Sequence, residues 1–313
     1  MGDLERLDFA DLRQCRRAGL RRCGSRRRVA GERGLSFGTL VSVAQLQAQL
    51  GNPDWCVVDV RHQLADVAYG ERVYAEAHIP GAHFLHCDRD LSGPMSGRNG
   101  RHPLPDPQVL AARLGSIGIG RQTQVVVYDD AQGMIAGRLW WLLRWLGHDA
   151  VAVLDGGWQD WLAAGAAVDA QPPVAKPREF TPVTRNFAVD AQFVRGILDS
   201  PSMRLVDGRA NDRFRGENET IDPVGGHIPG AVNRFFRDNL AADGHFKPAG
   251  ELAAEWQSLL GGLAPEQMVH YCGSGVSACH NLLAMEIAGL SGSRLYGGSW
   301  SEWCADPERP VAR

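Results

Sequence analysis

The chain repeats itself once, and that repeat restricts the fold more than any other feature. Val58-Asp59 with Arg61 returns as Val206-Asp207 with Arg209, and His78-Ile79-Pro80-Gly81-Ala82 returns as His227-Ile228-Pro229-Gly230-Ala231. Tyr128-Asp129 answers to Tyr271-Cys272, and Gly156-Gly157-Trp158 to Gly297-Gly298-Ser299-Trp300. The landmarks keep their order while the offset drifts between 149 and 141 residues. A long, drifting offset defines two homologous domains and excludes a short-period solenoid. A length of 313 residues suits two domains of about 150 residues each.

Each half alternates short apolar runs with helical stretches. Trp55–Val60, Gln124–Tyr128 and Val151–Leu154 read as strands in the first half, and Ala136–Leu146 as a helix. In the second, Arg204–Asp207 and Met268–Tyr271 read as strands and Ser277–Ala288 as a helix. Such alternation predicts an α/β fold: in each domain a parallel sheet with helices on both faces. Reactive groups in such sheets lie beyond the carboxyl ends of the strands. The expected boundaries are an arginine-rich tail at 1–36, a first domain at 37–170, a linker at 171–186 and a second domain at 187–313. The linker opens on Gln171-Pro172-Pro173-Val174-Ala175-Lys176-Pro177. The tail holds ten arginines before residue 35, with interspersed acids and no apolar run. Such a composition fits neither a secretory signal nor a transit peptide and predicts disorder.

Bulk properties exclude several classes of partner. A net charge of −3 and a pI near 6.4 give no basic footprint for nucleic acid. No apolar run reaches the roughly 20 residues needed to span a bilayer. The seven cysteines are odd in number, irregularly spaced and free of C-x-x-C pairs. They predict a reducing, cytoplasmic setting rather than a disulfide framework or zinc site.

One cysteine stands apart. The strand ending at Tyr271 runs straight into Cys272-Gly273-Ser274-Gly275-Val276-Ser277-Ala278 and then into a helix. Two glycines let successive N–H groups turn inward, and such a nest at a helix N-terminus favours an anion. A thiol placed there is expected to have its pKa lowered from about 8.5 into the roughly 3.5–7.5 range. Its thiolate suits nucleophilic chemistry. Cys279 and Cys304 lack this setting and read as packing residues, as do Trp140, Trp141 and Trp145. His78 and His227 recur in both halves, including the one without a nucleophile, and so read as structural.

The loop Cys272–Ala278, the paired H-I-P-G-A motifs and the Gly-Gly-Trp and Gly-Gly-Ser-Trp segments resemble those of two-domain sulfurtransferases of the rhodanese superfamily. The resemblance covers about residues 37–313, and the uncharged loop looks like that of the mercaptopyruvate branch. It implies tandem rhodanese domains of which only the second is catalytic, Asp129 standing where the first has lost its cysteine. It implies transfer of sulfur from 3-mercaptopyruvate through a persulfide on Cys272, with release of pyruvate. The acceptor would be cyanide or a thiol such as thioredoxin or a small thiol, and no metal or organic cofactor is required. Asp88, His102 and Ser274 are similar to the proton relay of that branch, and Arg215 to its carboxylate-binding arginine. Gly273, Gly275, Val276 and Ser277 would complete the substrate site. The branch's second arginine is missing from Glu219–Gly226; Arg209 or Arg213 could substitute, but each reads first as a surface or structural arginine.

Three rivals remain: a thiosulfate sulfurtransferase, a phosphatase on the same fold, and a rhodanese-like module that binds without catalysing. A phosphatase needs an arginine six positions after the cysteine, where this chain has Ala278. A serine hydrolase is weaker still, because Ser274 does not lie in G-x-S-x-G.

Overall fold

A computed structural model describes residues 36–198 and 200–313. The arginine-rich segment read as a disordered tail, with Cys15 and Cys23, lies outside these residues. The first half runs β1 (Leu40–Val41), α1 (Val43–Gln47), β2 (Trp55–Asp59), α2 (Tyr69–Glu76), β3 (His83–Phe84), α3 (Pro107–Ser116), β4 (Gln124–Tyr128), α4 (Ala136–Trp145), β5 (Val151–Leu154) and α5 (Gly157–Ala163). The second runs β6 (Ala188–Val189), α6 (Ala191–Gly196), β7 (Arg204–Asp207), α7 (Asn211–Phe214), β8 (Val232–Asn233), α8 (Ala249–Leu260), β9 (Met268–Tyr271), α9 (Ala278–Ile287), β10 (Arg294–Tyr296) and α10 (Ser299–Trp303).

The two sheets are copies. Their strand orders are β1-β5-β4-β2-β3 and β6-β10-β9-β7-β8, and every pairing is parallel. Alternation along β4 divides its side chains between two layers. Val125 and Val127 join one cluster, while Val126 and Tyr128 join the cluster on the opposite face. The larger cluster is shared by both halves, because α4 of the first packs on α9 of the second. This is why α4 has no polar face: nine of its ten residues are buried. A side chain at Gly137 would approach the backbone nitrogen of His280 to 3.3 Å, so a glycine lets the helices close.

The repeated landmarks interlock. Asp59 takes bonds from the Nε and Nη2 of Arg61 at 2.9 and 2.7 Å and from the Tyr128 hydroxyl at 2.6 Å. The same guanidinium lies over the Trp158 ring at 4.4 Å. In the second half Arg209 grips Asp207 at 2.7 Å and lies over Trp300 at 4.7 Å. His78 bonds the carbonyl of Tyr74 and stacks on its ring, as His227 does with Phe214. Both motif histidines are structural here.

Residues 171–187 form no named element, yet they are fastened to the first half. Arg178, Val183 and Arg185 each donate a backbone bond of 2.9 Å, to Gly115, Leu146 and Trp145.

Burial of histidines makes stability depend on pH. His270 and His280 are wholly enclosed, and burial pushes each pKa down to about 3. Unfolding returns them to about 6.5, so the unfolded chain binds protons that the folded one refuses. Their contribution is complete above pH 6.5 and is lost as the pH falls toward 3. Each should remove about 1.4 kcal/mol per pH unit over that range. Urea denaturation at pH 7.5 and 5.5 checks this, and His270→Leu should remove its own share of the difference, about 1.4 kcal/mol. A flat profile between those values would contradict it.

Candidate active site

The loop after β9 is built to hold a sulfur atom still. Gly275 sits at φ +79, and a side chain there would lie 2.3 Å from the carbonyl oxygen of Gly297. Only glycine fits, and the resulting turn aims its N–H at the Sγ of Cys272, 3.1 Å away. Cys272 is buried, and its own N–H donates to the hydroxyl of Ser299 at 3.1 Å. Ser299 adopts φ +55, uncommon for a residue with a side chain. The N–H groups of Trp300 and Ser301 cap the carbonyls of Cys272 and Gly273, both at 2.9 Å. The Gly-Gly-Ser-Trp segment thus braces the cysteine loop from behind.

The first half supplies the opposite wall. His102 bonds the hydroxyl of Ser274 through Nδ1 at 2.7 Å and Asp88 through Nε2 at 2.9 Å. A carboxylate only accepts, so Nε2 carries the proton and Nδ1 is free to accept from Ser274. The imidazole is therefore set as a base toward the serine. Its bond to Asp88 holds that carboxyl below the usual carboxylate range. The four residues Asp88, His102, Cys272 and Ser274 come together across the junction of the halves. His102, Cys272 and Ser274 line a cavity of about 240 Å³, with Gly273, Val276 and Ser277 also in its lining. Gly275 lies behind it, against Gly297.

Arg215 is not in this cavity. It projects into solvent and pairs with Glu217 at 2.7 and 2.8 Å. The arginine two residues earlier faces inward instead, because α7 is a single turn and carries Arg213 and Arg215 to different sides. Arg213 lines the cavity together with Arg101, which sequence reasoning did not single out. A side chain on Gly273 would meet Arg101 Nη2 at 2.8 Å and Arg213 Nη1 at 3.7 Å. The two guanidinium groups therefore sit over the cysteine loop. Buried Asp222 joins them, accepting from Arg101 and, at 3.2 Å, from Arg213. Arg209 also lines the cavity, but its guanidinium is committed to Asp207, Glu219 and the Gly226 carbonyl.

Arg138 was missed as well. Wholly buried on α4, it donates to the carbonyls of Gly275 and His102, both at 3.0 Å, and so ties the cysteine loop to the relay. An arginine inside so apolar a helix was the available signal.

The equivalent loop of the first half is closed. Asp129 occupies the cysteine's place after β4, and its carboxylate accepts four N–H groups: Ala131 and Gly133 at 2.9 Å, Ile135 and Ala136 at 2.8 Å. Burial lifts its pKa against the pull of those donors.

Two segments of the chain, residues 42–164 and 190–306, match the model of the rhodanese-like domain. The chain belongs to the rhodanese family. It is 50% identical over 281 residues to a Pseudomonas aeruginosa protein named "Probable 3-mercaptopyruvate sulfurtransferase", covering 89% of this chain and 99% of the relative. It is 35% identical to the thiosulfate sulfurtransferase of Mus musculus, over 83% of this chain and 89% of the other. Among solved structures it resembles a 3-mercaptopyruvate sulfotransferase from Escherichia coli with a TM-score of 0.72 at 28% identity, covering 84% of this chain and 99% of that one. The 3-mercaptopyruvate sulfurtransferase of Leishmania major gives 0.75 at 28% identity, with 85% and 74% covered.

Proposed function

We propose that this protein is a 3-mercaptopyruvate sulfurtransferase whose nucleophile is Cys272. The carrying observation is the hydrogen-bonded chain Ser274–His102–Asp88 beside the cysteine. In the first step the Cys272 thiolate attacks the donor's sulfur and forms an S–S bond. The donor's C–S bond breaks, and its electron pair remains on carbon as pyruvate enolate. That carbon needs a proton: the donor's own thiol proton would pass through the Ser274 hydroxyl to Nδ1 of His102 and return by the same route to the carbon. Thiosulfate, by contrast, leaves as sulfite and needs no proton on carbon, so the relay favours the organic donor. N–H groups of the loop would steady the charge on sulfur. An acceptor thiolate or cyanide then attacks the outer sulfur, and Cys272 leaves as thiolate.

Arg101 would hold the donor's carboxylate, aided by the Nη1 of Arg213, whose Nε and Nη2 are already bonded to Glu219 and Asp222; planar guanidinium groups suit that role. No helix among the described residues is long and apolar enough to cross a membrane. The five described cysteines are all free, which agrees with a reducing compartment such as the cytoplasm.

A steady-state comparison of 3-mercaptopyruvate with thiosulfate, cyanide as acceptor, tests the reading. We expect a far higher kcat/KM for mercaptopyruvate. Arg101→Met should raise KM for that donor about 10- to 100-fold, the loss of one charged hydrogen bond, and leave kcat within a few-fold. A preference for thiosulfate would overturn the relay's role, and an unchanged KM would remove Arg101 from the site.

A further inference from the structure

Against the relay lie two further donor side chains, His62 and Cys87, that the transfer chemistry does not use. His62 follows β2 and is buried, yet its Nε2 has no hydrogen-bond partner among the described residues. That atom faces Asp88, whose Oδ1 is 3.9 Å away. Cys87, equally buried, is the neighbour of Asp88 in the loop after β3 and lines the same cavity. One ligand atom from each of His62, Cys87, Asp88 and His102 lies within 4.8 Å of every other. His86 is near but occupied, its Nε2 on the Val67 carbonyl and its Nδ1 on the N–H of Asp88. An unpartnered imidazole nitrogen in a buried place is costly unless something fills the gap.

We propose that His62, Cys87, Asp88 and His102 form a binding site for one divalent cation of the zinc class, and that its occupation switches the relay off. Two imidazoles, a thiolate and a carboxylate make a four-ligand set suited to tetrahedral zinc. They do not suit magnesium or calcium, which require mostly oxygen ligands. Movements of about an ångström would bring the donors to bonding distance, since zinc holds ligands about 2.0–2.3 Å from itself. On binding, the Cys87 thiol gives its proton to the buffer and the sulfur bonds the metal, while the proton on Nε2 of His102 shifts to Nδ1 to free the nitrogen that faces Asp88; nothing is oxidised or reduced. The thiolate and the carboxylate then neutralise the cation, which makes the buried position tolerable. An imidazole bound to metal cannot serve Ser274 as a base. This consequence for activity rests on the relay proposed above, whereas the binding itself does not.

The test uses the full chain freed of metal by a chelator and titrated with cobalt(II) as a spectroscopic probe. We expect one equivalent to bind with a thiolate-to-cobalt charge-transfer band and the visible bands of a tetrahedral site, all displaced by zinc. Cys87→Ser should erase the charge-transfer band. His62→Gln should weaken binding at least about tenfold, and Cys272→Ser should leave both readings intact. Added zinc should slow transfer from mercaptopyruvate in the unmodified protein and do so less in His62→Gln at equal concentration. Absence of a stoichiometric tetrahedral complex would overturn the site. So would a band that vanishes with Cys272→Ser and survives Cys87→Ser, since the metal would then sit on the nucleophile. Because cobalt spectra do not depend on turnover, a wrong donor assignment would leave them unchanged.

Discussion

Exchange of Cys272 for serine should abolish sulfur transfer from every donor, whereas exchange of Ser274 for alanine should damage transfer from 3-mercaptopyruvate alone. The first follows from chemistry: a serine oxygen in place of the Sγ that lies 3.1 Å from the Gly275 nitrogen cannot carry a sulfane sulfur. The second follows from geometry, because Ser274 lines the same cavity as Cys272 and its hydroxyl bonds His102 at 2.7 Å. General acid–base contributions of this kind amount to about 10²–10⁴ in rate. Ser274→Ala should therefore lower kcat for mercaptopyruvate by that factor and leave thiosulfate within a few-fold. His102→Gln should behave alike, since the two act as one unit and their losses do not add. Steady-state rates with both donors decide the matter. Equal losses for the two donors would mean that Ser274 shapes the loop and moves no proton.

A comparably large effect is expected where no chemistry occurs. Asp129→Ala should cost about 5 kcal/mol or more of folding stability. Each buried N–H left without an acceptor costs about 1–3 kcal/mol, and this carboxylate serves four, from Ala131, Gly133, Ile135 and Ala136. Asp129→Asn keeps one acceptor oxygen and should lose less. Urea denaturation monitored by tryptophan fluorescence measures both. If Asp129→Ala came within 1 kcal/mol of the unmodified protein, water would have to be replacing the carboxylate.

What could be read from the sequence was local, and what escaped was distant. The duplicated landmarks interlock through residues close to each strand end, so their repetition alone located both sheets. Cys272, its glycines and the helix behind it form one continuous segment, and there chain order and geometry coincide. Asp88 and His102 were legible only through resemblance, because 172 residues separate His102 from Ser274. Arg138 gains its role from a bond 137 residues away, and nothing near it in the chain marks that partner. Arg213 and Arg215 show the limit differently: both flank the same phenylalanine, and only the turn of α7 decides which one faces the cavity. The edge strands β1, β3, β6 and β8 are two residues each, too short for any alternation to be seen.

The bonds from Arg138 to the carbonyls of Gly275 and His102 make the site a property of both halves. Under the proposed function the two homologous halves divide the labour of transfer from mercaptopyruvate: the second holds Cys272 and Ser274, the first His102, Asp88 and Arg138. A gene cut at the boundary would then yield two pieces, neither with the full relay. Efficient transfer from mercaptopyruvate should return only when the separate pieces associate, which makes this chain a candidate for a split reporter of proximity.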